Sequence, residues 1–193
     1  MHSMTKDDII TLPNPHLRQR SKKVGLIDDA VLKLIDDMAS ATLDWEASRE
    51  HEVGVALAAI QVDIDLRVVV IRHNFDDKTD TTFDVLINPI ITKYEGELLE
   101  DFEGCLSITD VYGKVKRHSK VKVRATNIEG REVRITAEGF LARVLQHEID
   151  HTNGKVFIDH IKDQPDAFFN LNKDGDLVQL DYDKDVKNNR ILW

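Results

Sequence analysis

A chain of 193 residues, 41% of them hydrophobic and 32% charged, can bury a core without covalent staples, and its single cysteine excludes an internal disulfide framework. A formal charge of −9 argues against a general phosphate-binding surface, so no direct nucleic-acid readout is expected. No apolar run approaches membrane-spanning length, and the stretch Met1 to Asp8 lacks both an apolar signal core and the basic character of a transit peptide, so a cytoplasmic protein without a membrane partner is expected.

Residues 9–27 hold Pro13, Pro15 and the basic group Arg18, Arg20, Lys22 and Lys23, and read as an extended lead-in. From Asp28 onward Val31, Leu34, Ile35, Met38, Ala41 and Trp45 keep one face apolar. That spacing predicts a long amphipathic helix capped by Asp28 or Asp29 and ended by the polar stretch Arg49 to Glu52. Gly54-Val55-Ala56-Leu57-Ala58-Ala59-Ile60-Gln61 is small, apolar and free of charge, which suits close approach of either a packing helix or a ligand. Its polar member, Gln61, needs partners if buried.

Leu66 to Ile71 predicts a buried strand from its β-branched run, and His73 to Thr82 a loop. Val85 to Ile91 predicts further strand, with Pro89 marking an edge or a break. Lys120 to Ala125 and Arg131 to Thr136 alternate on either side of a turn at Asn127 to Gly130 and predict a hairpin. Residues 162–193 carry no sustained helical stripe and predict short strands and loops, with a turn at Asp174-Gly175-Asp176.

Chemistry concentrates at Gln146-His147-Glu148-Ile149-Asp150-His151, which contains the pattern H-E-x-x-H. On a helix, positions four apart share a face, so both imidazoles can reach one metal ion while Glu148 meets a bound water instead. Leu141, Val144, Leu145 and Ile149 supply the helical stripe, and Asn153-Gly154 a stop. The bland alternative is a core helix with two structural histidines. A catalytic site needs a third protein ligand and an open position. The extended pattern with a third histidine fails at Phe157, and no Glu occurs after Glu148. Asp159, or a ligand the motifs do not reveal, stays open and would make the chain an H-E-x-x-H metallopeptidase. Cys105, in Glu103-Gly104-Cys105-Leu106-Ser107, is either an inert buried thiol or a ligand.

Taken together, Gly54 to Gln61, Glu103 to Ser107 and Gln146 to His151 resemble, in order and separation, the three signature motifs of the peptide deformylases, G-x-G-L-A-A-x-Q, E-G-C-L-S and Q-H-E-x-D-H. The second and third match in full. In the first, Ala56 stands where the family has glycine. The resemblance covers roughly residues 9–160 and implies an α+β fold, with mixed or antiparallel sheets packed around a central metal-binding helix. Residues 1–193 then form a single catalytic domain with a polar C-terminal extension at 161–193.

The resemblance further implies that Cys105, His147 and His151 bind one divalent metal ion, Fe(II) natively, with Zn, Ni or Co accepted by the same donors. The implied reaction removes the formyl group from the N-terminal formylmethionine of nascent polypeptides and releases formate. Glu148 would act as general base and then acid, with Gln61 and the Leu106 N–H as oxyanion donors. Val55, Ala56, Leu57 and Val144 would line the substrate site, although Val55, Leu57 and Val144 can equally be plain core. A nearby Arg such as Arg117 would pair with Glu103. N-formylmethionyl peptides are the implied partners, with transient contact at the ribosome exit region, for which the acidic tail offers no basic helix. Alanine at position 56 would cost on the order of 1 kcal/mol if the family's glycine serves a positive φ, or narrow the cleft if it serves space. A deformylase-like protein that binds without turnover is the corresponding non-enzymatic alternative.

Overall fold

The Asp28 carboxylate accepts a hydrogen bond from the Val31 N–H at 3.0 Å and opens α1, Asp29–Ala47, as the apolar periodicity predicts. The computed structural model describes residues 3–188 and Ile191, so Asn189, Arg190, Leu192 and Trp193 of the expected polar tail lie outside the described residues.

Strand β1, Ala56–Ala58, pairs with β2, Val68–Arg72, and β2 with β3, Phe83–Cys105. Strand β4, Ile108–Thr126, folds back along β3 and takes β5, Glu132–Glu138, and β6, Phe168–Leu171, on its other edge. Strand β7, Leu177–Gln179, completes the sheet. Every ladder is antiparallel, and among the described residues parallel pairing is confined to the bridge between Lys22 and Leu66. The class is α+β, with an antiparallel rather than a mixed sheet.

Side-chain alternation explains why β2 reads as an unbroken β-branched run. Leu57, Val68 and Val70 pack with Val31, Leu34, Ile35 and Met38 of α1. Their neighbours Ala56, Ala58, Val69 and Ile71 face the opposite way and pack with Ala142, Leu145 and Ile149 of α2, Gly139–Thr152. The two helices therefore lie on opposite faces of the same strands. A third cluster joins Val111 and Val115 of β4 to Phe157, Ile158, Ile161 and Phe168.

Helix α2 is tied down at both ends of its motif. The Gln146 side chain accepts from the His118 N–H at 3.2 Å and donates to the His118 carbonyl at 2.9 Å, locking the helix to β4. The buried Arg67 guanidinium donates to the Thr152 carbonyl at 3.2 Å. Asn153 caps the helix, and Gly154 follows at φ +74, where a Cβ would stand 2.4 Å from the Arg18 carbonyl oxygen.

The strands of the long hairpin exceed the sequence expectation, which reached only 85–91 and 120–125. Strand β3 runs on to Cys105 because β4 pairs with it down to Cys105 and Ile108. Residues 93–101 are mostly exposed, so no apolar alternation marks them as strand. Pro89 does interrupt the pairing: the register slips between Ile87 and Ile90, and Asn88 takes φ 54. The described C-terminal residues form short strands as expected, with a 3-10 turn at Pro165–Ala167 and a π-helical segment at Tyr182–Lys187 besides. No helix among the described residues is long and apolar enough to cross a membrane.

Candidate active site and metal centre

His147 and His151 stand one helical turn apart on α2, with their Nε2 atoms 3.2 Å from each other. The end of β3 delivers Cys105, whose Sγ lies 3.3 Å from His151 Nε2. All three donor atoms fall within 4.8 Å of one another. A tetrahedral ion with nitrogen ligands at 2.0–2.1 Å needs donors about 3.4 Å apart, close to the 3.2 and 3.3 Å separations here, so the group could hold one metal ion. One thiolate and two imidazoles suit Fe, Zn, Ni or Co rather than Mg or Ca.

Behind this group lies a buried ionic cluster. His147 Nδ1 is 3.0 Å from a Glu103 carboxylate oxygen, which orients the ring and leaves Nε2 toward Cys105 and His151. Glu103 accepts from Arg117 at 2.9 Å, as the sequence suggested, and from Arg143 at 2.8 Å, which it did not. Burial alone would push the Glu103 carboxyl up. Hydrogen bonds from His147 and Arg117 overcome that and hold it well below the usual carboxylate range. Arg117 also donates to Asp150 at 2.6 Å. Arg143 precedes His147 by one turn on the same helix face, a spacing that makes it legible in hindsight.

Glu148 is buried and lines an adjoining cavity of about 210 Å³. One of its carboxylate oxygens, Oε2, has no hydrogen-bond partner among the described residues. Burial raises its pKa to about 7. Gln61, in the tight turn after β1, lines the same cavity. Its Oε1 accepts from the Ala58 N–H at 2.9 Å, which turns Nε2 toward Ser107 Oγ at 3.1 Å and Cys105 Sγ at 3.5 Å. Leu106 lines the cavity beside Cys105. Ser107, fully buried, had no role in the sequence reading.

Val55, Ala56 and Val144 also line the cavity, whereas Leu57 does not. The expectation for Leu57 is corrected: strand alternation turns it into the α1 core, where it is 0% exposed. Ala56 sits in regular strand opposite Ile71. Among the described residues, positive φ outside glycine is confined to Asp63, Asn88 and Asp110, so the alanine carries no backbone strain and only the space for its methyl group is at issue. Asp159 is corrected as well: its carboxylate is held by Arg18 at 2.6 Å and by the Val156 N–H at 2.9 Å, apart from the three metal-binding donors. The metallopeptidase alternative loses its ligand there. Trp45, Phe102, Tyr112 and Phe140 complete the cavity walls. They come from α1, β3, β4 and α2, so no local motif could have assembled them.

A helix-borne histidine pair, a strand-borne cysteine and a buried carboxylate lining one cleft fit the class of metal-dependent hydrolases. The comparisons with known proteins agree. The sequence profile of the family described as "Polypeptide deformylase" matches residues 6–166. The peptide deformylase of Agrobacterium fabrum is 41% identical over 160 residues, covering 82% of this chain and 88% of that protein. That of Syntrophobacter fumaroxidans is 44% identical over 154 residues, covering 80% and 85%. The crystal structure of a peptide deformylase from Legionella pneumophila superposes with a TM-score of 0.71 at 40% identity, covering 82% of this chain and 86% of that one. The chain belongs to the polypeptide deformylase family, a family of metal-dependent enzymes acting on N-formylmethionyl peptides.

Proposed function

We propose that the chain, as one catalytic domain over residues 1–193, removes the formyl group from N-terminal formylmethionine and releases formate, using Cys105, His147 and His151 as ligands of a single divalent ion, Fe(II) natively. The observation that carries this reading is the convergence of three donors within 4.8 Å beside Glu148, which lines the cavity and whose buried Oε2 has no hydrogen-bond partner among the described residues. When bound, the ion acidifies water and polarises the formyl carbonyl.

The protein's own groups do the rest. Glu148 accepts a proton as the water oxygen bonds to the formyl carbon, then delivers it to the amine nitrogen as the carbon–nitrogen bond breaks, so the carboxylate ends as it began. Gln61 Nε2, held in orientation by the Ala58 N–H, and the Leu106 N–H donate to the carbonyl oxygen as it gains negative charge. Glu103 fixes the His147 ring through Nδ1. Val55 and Ala56 present backbone to an extended substrate, as in strand addition, and Val144 lines the pocket for the methionine side chain. Substrate of this kind is met in the cytoplasm as nascent chains leave the ribosome, so contact at the exit region is transient.

Formate release from formyl-Met-Ala-Ser by anaerobically prepared, Fe(II)-loaded protein tests this directly. Glu148→Ala should abolish turnover with the metal retained, and Cys105→Ala should lose both. Absence of turnover in the folded, metal-loaded wild type overturns the reading.

A further inference from the structure

The match to the family profile spans residues 6–166, and the chain continues into β6 and β7. That hairpin grips both outer walls of the cleft. The cavity runs from buried Gln61, His147 and Glu148 to half-buried Glu52, Phe102 and Tyr112. On one wall, Phe169 of β6 packs edge-on against Phe102 at 4.9 Å, and the Lys114 ammonium covers both rings at 5.1 and 5.4 Å.

On the other wall, Asn170 donates to the Asp110 carbonyl at 2.9 Å, and the Asp110 carboxylate accepts from Arg49 at 2.7 Å. Arg49 lies over Trp45 at 5.2 Å and beside Glu52 at 3.7 Å, and Glu52 accepts from the Tyr112 hydroxyl at 2.7 Å. The tip of the hairpin meets the same loop. His51 Nε2 is 3.2 Å from the Lys173 carbonyl oxygen, and the ring packs on Gly175 so closely that a Cβ there would stand 3.0 Å away. None of these contacts involves Cys105, His147 or His151.

We infer that the C-terminal hairpin β6–β7 positions the outer walls of the cleft and thereby sets the affinity for peptide residues that follow the formylated methionine. The inference rests on the deformylase reading, and it makes Phe169 and His51 positioning residues that act through Phe102 and through the Arg49–Glu52 loop. Hydrolysis itself is untouched by them, so their effect depends on substrate length.

The test compares formyl-Met-Ala-Ser with formylmethioninamide, which ends at methionine, using the full chain and its Phe169→Ala, Phe169→Tyr and His51→Ala variants. Loss of the aromatic contact should raise KM for the longer substrate roughly two- to tenfold. Its kcat, the metal content and the KM for the amide should hold, and Phe169→Tyr should restore the wild-type value. His51→Ala, at an exposed residue, carries the same test if Phe169→Ala impairs folding. Equal changes for both substrates, or no change for the longer one, overturn the inference. Absence of formate from either substrate with the wild type overturns the deformylase reading instead, and this inference with it.

Discussion

At the scale of single residues, two buried carboxylates that line the same cavity are driven in opposite directions by their surroundings. Glu103 is ringed by donors and stays ionised, whereas burial, opposed by His147 and reinforced by the Glu103 charge, lifts Glu148 to about 7. Replacing Glu148 with Gln keeps shape and removes proton acceptance, so formate release should fall by roughly 10²–10⁴-fold with metal content unchanged, as measured by formate and metal assays together. Only the ionised carboxylate can take a proton, so kcat/KM should climb as pH rises through its pKa. A bound cation nearby lowers that value, which places the midpoint of the acid limb at or below about 7. An acid limb centred well above that pH would remove Glu148 from the role. Glu103→Ala removes the shared partner of Arg117 and Arg143, leaving Arg117 with Asp150 and Arg143 with backbone carbonyls, and should destabilise the fold by up to about 3–5 kcal/mol in urea titrations. It should also weaken metal binding by roughly 10–100-fold, because His147 loses the group that orients it.

At the scale of elements, α2 is fixed at its middle through Gln146 and at its C-terminal end through Thr152 while the sheet brings Cys105 to it. Gly154 sits at φ +74 with the Arg18 carbonyl 2.4 Å from where a Cβ would be, so Gly154→Ala adds a clash to backbone strain. It should cost at least about 1–2 kcal/mol in thermal or chemical unfolding. A variant as stable as the wild type would mean that the helix end tolerates rearrangement. Both helices, the Asp28 cap, the Gly154 stop and the central strands were legible in the sequence because buried faces impose a period on residue type. The length of the β3–β4 hairpin was not, because residues 93–101 are mostly exposed and strand pairing alone leaves no such imprint. Leu57 misled for a related reason. A three-residue strand buried on both faces gives no hint of which side chains meet the cleft and which meet α1.

At the scale of the whole molecule, the metal-binding group was the most legible part, since chemistry restricts its residue types and spacing. The cleft walls were the least legible, as Trp45, Phe102, Tyr112 and Phe140 converge from distant segments through tertiary packing. The acidic composition that argues against phosphate binding coexists with buried arginines that are all put to internal use: Arg67 on the end of α2, Arg72 on Glu46, and Arg117 and Arg143 on Glu103. Sheet and helices together bring one cysteine sulfur within 4.8 Å of two imidazole nitrogens, a group that could hold a metal ion. Titration of the metal-free chain with Co(II) under anaerobic conditions, followed by absorption spectroscopy, tests that arrangement most directly. One equivalent should saturate the protein, giving intense four-coordinate d–d bands and a near-ultraviolet thiolate-to-cobalt transition that Cys105→Ser abolishes. A saturated spectrum without the thiolate transition, or one unchanged in Cys105→Ser, would contradict the account.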